Sequence, residues 1–201
     1  MYLSLIDPTK FLEATAVVVA ALLGVIWGGI KFFKGREKSD NFIAIHTEIH
    51  ELLTELRVTA KAMRASIIQF HNGEYTMDGI SMRKFSVTHE STYKGYTSQV
   101  TKLKGNLCSM YIPLLTKVIE NKGTIHYTNT LSESYVKGFF DDENVSQYAC
   151  LPLKNKGVNV GFILVQWHHD FEILNGDQEI AMKNFEHLRD SIEMQLSQQK
   201  N

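Results

Sequence analysis

"YACLPLKNKGVNVGFILVQW", residues 148–167, decides the fold. Two apolar runs flank the polar tetrapeptide "KNKG" at 154–157. Each run is short and rich in β-prone residues, and the break between them is a turn former, so the stretch reads as two strands joined by a tight turn. Working back from it, "TIHYTN" (124–129) is another short strand and "SESYVKGFFDD" a short helix or structured loop. "NLCSMYIPLLTKVIENKG" reads as a helix closed by Gly123. "ASIIQF" (65–70) and "GISMRKFSV" (79–87) are two further strands. In the second, Ile80, Met82, Phe85 and Val87 skip a beat at Arg83-Lys84, the mark of a bulge.

Long helices flank these strands. Phe42, Ile45, Ile49, Leu52, Leu56, Thr59 and Met63 alternate spacings of three and four, a heptad seam behind the N-cap types Ser39, Asp40 and Asn41. "DQEIAMKNFEHLRDSIEMQLSQQ" closes the chain with Ala181, Phe185, Leu188 and Ile192 on one face, and "NGD" (175–177) marks its start. The order is helix, two strands, helix, strand, short helix, two strands, helix. It predicts an α+β domain with an antiparallel sheet and both terminal helices on one face.

The late hairpin, with its strand ending in Pro-Leu, its polar turn and its Gly before an apolar strand, resembles that of GAF domains, and the element order resembles a GAF domain over 42–199. The resemblance implies a GAF/PAS-type sensory module that dimerises through its first and last helices. It also implies a small-molecule ligand held between the sheet and the middle helices and loops. It names no ligand, and the cofactor stays unknown. Cyclic-nucleotide-binding GAF domains carry Asn-Lys, Phe and Asp-Glu from the last strand into the last helix, whereas this chain reads "HHDFEILNGDQE" there, with His168-His169 in place of Asn-Lys.

Residues 14–30, "ATAVVVAALLGVIWGGI", carry no charge, and with 31–33 they make about 20 residues, enough to cross a hydrocarbon core of about 30 Å. A signal peptide would place its basic residues first. Here they follow, as Lys31, Lys34, Arg36 and Lys38. The expected layout is a short extracytoplasmic segment 1–13, a single transmembrane helix 14–33, a basic linker 34–41, and a cytoplasmic GAF-like domain under the inner (plasma) membrane. Ala16, Ala20, Gly24 and Gly28 recur every four residues, a small-residue face suited to helix pairing. A homodimer is therefore expected through Gly24 and Gly28 in the span and Ile45, Ile49, Leu52 and Leu56 in the seam.

A net charge of −1 in 201 residues argues against general nucleic-acid binding. The two cysteines, Cys108 and Cys150, form neither a disulfide framework nor a CxxC pair and are expected to pack as small hydrophobes.

The remaining chemistry lies in "FHNGEYTMDGISMRKFSVTHE" (70–90), where Asn72-Gly73 and Asp78-Gly79 form turns in a loop long enough to carry function. Phe70, His71, Asn72, Glu74, Tyr75, Met82 and Phe85 are candidate pocket residues, with Tyr127 from the 124–129 strand. His71 sits at the loop end and His89 at the far end, so no shared metal site is expected. His46 and His50, four apart on the first helix, read as exposed histidines near the membrane. No nucleophile elbow, phosphate loop or ligand-spaced Cys/His set points to an enzyme. Three functions stand. The first two are a membrane-anchored sensor or regulator that binds a small molecule or signals through a protein partner, and a non-enzymatic membrane scaffold without such a ligand. The third, with the least support, is a metal- or thiol-dependent hydrolase or reductase on the same fold using His71, Glu74 or a cysteine.

Overall fold

The computed structural model describes residues 8–73, 75–79, 82–120, 124–169 and 178–198; the side chains of 8–16, 18, 29–39 and 178–181 lie outside the description. The chain forms two compact units, 1–44 and 45–201. Helix α1 (Pro8–Thr59) runs through both. The elements that follow are β1 (Arg64–His71), β2 (Lys84–Thr92), β3 (Asn106–Leu107), a 3-10 turn, α2 (Ile112–Glu120), β4 (Ile125–Tyr127), a second 3-10 turn, α3 (Tyr135–Asp142), β5 (Val145–Asn155), β6 (Val158–His168) and α4 (Gln178–Gln198). Among the described residues the strands form one sheet in the order β3-β2-β1-β6-β5-β4, with every neighbouring pair antiparallel.

The 148–167 stretch is the β5–β6 hairpin. Lys156 and Gly157 both take positive φ (50° and 79°), the type I′ turn whose twist matches that of the flanking strands. Alternation along β6 then serves two cores. Ile163, Val165 and Trp167 pack with Ile45, Ile49, Leu53 and Leu56 of α1 and Phe185, Leu188 and Ile192 of α4. Phe162 and Leu164 pack on the other face with Leu114 and Val118 of α2 and Val136 and Phe140 of α3. The terminal helices thus share one face, as the sequence order implies.

Gly161, central in that hairpin, is a close-approach glycine. A Cβ there would sit 2.1 Å from the Ile68 carbonyl oxygen on β1. Backbone cannot yield as a side-chain tip does, so Gly161→Ala is expected to cost about 1–3 kcal/mol, read as a lower urea midpoint at unchanged slope.

Three expectations are corrected. The 34–41 segment is helical, not a linker: α1 continues through Ser39, Asp40 and Asn41 without a break. Cap-type side chains start a helix only where the preceding residues are not already helical, and Lys-, Arg- and Glu-rich sequence propagates one. The bulge lies not at Arg83-Lys84 but at Thr88, because Ile67 pairs with His89 while Ile68 pairs with Val87. The second strand accordingly starts at Lys84 and runs to Thr92. The "NGD" start of the last helix lies outside the described residues, as do 1–7 of the expected extracytoplasmic segment and Gly123.

Among the described residues no helix is long and apolar enough to cross a membrane. Only part of the 14–30 run falls within that description. Its described members, including Val17, Leu22, Leu23, Val25, Ile26 and Trp27, are all exposed.

Candidate functional site

One inserted residue decides where the polar chemistry sits. Before the bulge, Phe85 and Val87 face α2 and α3. Inserting Thr88 flips the alternation, since a one-residue slip exchanges the faces of a strand. Glu90 therefore joins the α2/α3 face opposite Ser66, and His89 and Ser91 turn towards α1 opposite Ile67 and Ala65.

Glu90 meets a buried cationic side chain. Arg64, 1% exposed, lies 3.6 Å from Glu90 through Nε. It donates from its terminal nitrogens to Gln166 Oε1 (3.0 Å), to the Thr97 carbonyl (2.6 Å) and to Glu143 Oε2 (3.3 Å). Glu90 also accepts from the Gln99 backbone N–H at 3.0 Å. Lys102 closes the cluster from the surface by pairing with Glu143. Two cations and two carboxylates leave the group formally neutral. Burial works to lower the Arg64 pKa, against the pull of Glu90 and Glu143, and it ends below the usual guanidinium value. Burial alone would raise Glu143. Hydrogen bonding from Lys102, the nearby Gln99 amide and the charges of Arg64 and Lys102 outweigh it and hold the carboxyl below its usual range.

The cluster is not closed on itself. Arg64 Nε, both amide atoms of Gln99 and Gln166 Nε2 are buried without a hydrogen bond of ordinary length, as are Tyr148 Oη and Thr128 Oγ1. Gln99 leans on Glu143 without completing a bond to it. Such orphans in a folded protein mark ordered water or a ligand, because leaving one dry costs about 1–3 kcal/mol. Next to them the α2/α3 face is filled by rings: Phe85, Tyr111, Phe140, Tyr148 and Phe162 are each fully buried. Phe85 meets Tyr111 edge-on at 4.8 Å, and Phe140 meets Tyr148 at 5.0 Å.

The expected pocket residues scatter. Phe85 is core, and half-buried Phe70 leans on Phe162 at 6.0 Å. Asn72 and Tyr75 are exposed, Met82 is half-buried, and Glu74 lies outside the described residues. Tyr127 pairs with Gln147 at the β4 edge, three strands from β1. Phe70 and His71 do line a groove of about 400 Å³, but on the α4 side, with Leu153, Asn159, Glu193 and Leu196. His71 Nε2 lies 3.0 Å from Ser86 Oγ, and His71 pairs with Lys84, four β1 residues from the pairing partner of His89.

The seam is also reassigned. Ile45, Ile49 and Leu56 are buried in their own domain's core and Leu52 is packed against it, so these side chains are occupied within one chain. Spacings of three and four serve an intramolecular core and a coiled coil alike. Gly24 and Gly28 face open space. Burial pushes both thiols up, Cys150 furthest, so neither is poised as a thiolate. Among the described residues no group of three or more His, Cys, Asp or Glu side chains is placed to hold a metal ion.

No protein-family model matches the chain, and no curated protein matches it. Solved structures do. The blue-light-absorbing form of the PixJ GAF domain of Thermosynechococcus elongatus superposes with a TM-score of 0.56 at 11% identity, over 79% of this chain and 88% of that one. The GAF domain region of a putative membrane protein from Geobacter sulfurreducens gives 0.55 at 15% identity, over 80% and 97%. The phycocyanobilin-bound GAF domain of a cyanobacterial phytochrome gives 0.54 at 16% identity, over 82% and 92%. At such identities the likeness speaks for architecture alone: the chain has a GAF-like α+β fold.

Proposed function

We propose that this protein is a membrane-anchored, GAF-like sensory or regulatory module whose α2/α3 face takes a small, formally neutral, polar molecule. The observation that carries the ligand is the set of orphaned atoms on Arg64, Gln99 and Gln166, three donors and one acceptor at the edge of an electrically balanced cluster. The rings beside it are each fully buried, which favours a small occupant over the phycocyanobilin of the phytochrome neighbour. The anchor reading rests on the uncharged 14–30 run and on the exposure of Val17, Leu22, Leu23, Val25, Ile26 and Trp27, which together are spread over every side of the helix. An all-round apolar helix needs lipid or a partner, and the basic residues after it orient the domain to the cytoplasm. Pairing through the open Gly24/Gly28 face would make the module a homodimer.

The test is denaturing mass spectrometry of the detergent-solubilised full chain, with a Gln99→Leu variant beside it. A small polar molecule released from the wild type and lost from a still-folded Gln99→Leu protein supports the sensor. An empty wild type, with Gln99→Leu at equal or higher Tm, means the orphans hold only water. That outcome would favour the second reading, a membrane scaffold for a protein partner, to which the ring-filled face already lends support.

A further inference from the structure

The same bulge that sends Glu90 to one face sends His89 to the other, where it meets His46 of α1. His46 Nδ1 and His89 Nε2 lie 2.7 Å apart. The ring planes are within 15° of each other at a centroid separation of 4.8 Å. That separation exceeds the N···N distance by about two ring radii, so the imidazoles meet edge to edge along an N–H···N line, not face to face. His46 is placed two residues inside the point where α1 enters the domain unit, between Ala44 and Ile45.

The direction of the bond follows from its surroundings. Thr88 Oγ1 donates to the Ile67 carbonyl at 3.4 Å, and a carbonyl can only accept. Its oxygen is then free to accept from His89 Nδ1–H at 3.1 Å. This places the proton of neutral His89 on Nδ1 and the lone pair on Nε2, so His46 Nδ1–H is the donor. The chain of donors runs His46, His89, Thr88 and ends on the Ile67 carbonyl, which accepts. It does not tolerate a proton on His89 Nε2, which would set two N–H groups against each other.

We propose that His46 and His89 form a proton-controlled clasp that pins the first domain turn of α1 to β2 while His89 is neutral and releases it when His89 gains a proton. Solvent supplies the proton to Nε2, and the N–H···N bond to His46 is the one that breaks. The charges acting on His89 have one sign: His46 and His50, both from α1. On the other elements packed there, Glu90 faces the opposite side of β2, Ile67 of β1 is apolar, and Glu48 of α1 is engaged by Gln195 of α4 at 2.6 Å. Further along α1, Arg57 and Thr54 are turned to Ser91. Burial, then His46 and His50, bring the His89 pKa down from 6.5 to about 4. A histidine lowered on folding binds its proton more readily when released. The clasp is therefore whole above pH 6.5 and is lost as pH falls from there through about 4. This inference does not depend on the α2/α3 ligand.

The experiment is hydrogen exchange of the full chain in detergent micelles from pH 8 to pH 4, corrected for intrinsic exchange rates, with a ¹³C histidine titration on the same sample. Protection over 45–53 is expected to fall on the order of a hundredfold while α4 and β6 keep theirs, with the midpoint tracking His89. His89→Gln, which accepts from His46 and cannot titrate, should remove the step, and His50→Gln should keep it. A pH-independent 45–53 segment, loss of protection everywhere at once, or a His89 that titrates near 6.5 would overturn the clasp. If His89→Gln does not fold, the wild-type titration alone decides between these outcomes.

Discussion

Arg64→Met is expected to cost about 3–5 kcal/mol in urea unfolding, because it strands two buried carboxylates. Glu90 and Glu143 are 4% and 7% exposed at their side chains, and Arg64 is the cation that both share. Lys102 offsets only the second, and from a surface position, with 57% of its side chain exposed. Removing the guanidinium also leaves Gln166 Oε1 and the Thr97 carbonyl without their donor. The expected remedy is informative: adding Glu90→Gln and Glu143→Gln to Arg64→Met should recover most of the loss, since replacing a whole buried ion cluster is far cheaper than breaking one. A loss below about 1 kcal/mol in the single variant would mean that the charges are solvated, and the cluster would not then be a dry site. The sign in pH follows from Glu143, whose pKa is lowered on folding: its stabilising contribution is present above the unfolded carboxylate pKa and is lost as pH falls through the folded one.

Trp167→Ala carries the other large expected effect, about 3–5 kcal/mol, with a cavity at the junction of three elements. The indole is fully buried, stacks on Phe185 of α4 with centroids 6.2 Å apart, and donates its N–H to the Ala60 carbonyl at 2.9 Å. Ala60 lies at the end of α1, where Lys61 turns left-handed (φ 50°) and Ala62 N–H returns to the Arg57 carbonyl at 3.0 Å. One side chain thus ties the last strand to both terminal helices. Trp167→Phe isolates the hydrogen bond: it keeps most of the volume and should cost about 1–2 kcal/mol, the charge for an unpaired buried carbonyl. Equal costs for Phe and Ala would show that packing contributes little there.

These two residues differ in how far the sequence betrays them. Trp167 stands at the end of an apolar run that could only be a buried strand, and its burial was legible. Arg64 precedes that kind of run on β1, where a charged residue ordinarily marks a strand's exposed start. Its partners lie 26 and 79 residues away at Glu90 and Glu143, and no local pattern links them. The bulge shows the same limit. Thr88, His89 and Glu90 are polar, so alternation carries no signal there, and only the pairing of β2 with β1 reveals the inserted residue. His46 reads as an exposed helix histidine for the same reason: its neighbour comes from a strand 43 residues on.

By itself the sequence determined the α+β class, the β5–β6 hairpin, the long first and last helices and the GAF-like order of elements. It did so because hydrophobic periodicity and turn chemistry are local and survive without knowledge of partners. It also marked the 14–30 run as apolar without charge. The tertiary structure alone decided that the heptad seam feeds the chain's own core, that the 70–79 loop and Tyr127 lie apart, and that Arg64, Glu90, Gln99, Glu143 and Gln166 converge. The physical reason is that these placements rest on contacts between residues far apart in the chain, and that on β2 one extra residue at Thr88 chooses the face of His89, Glu90 and Ser91.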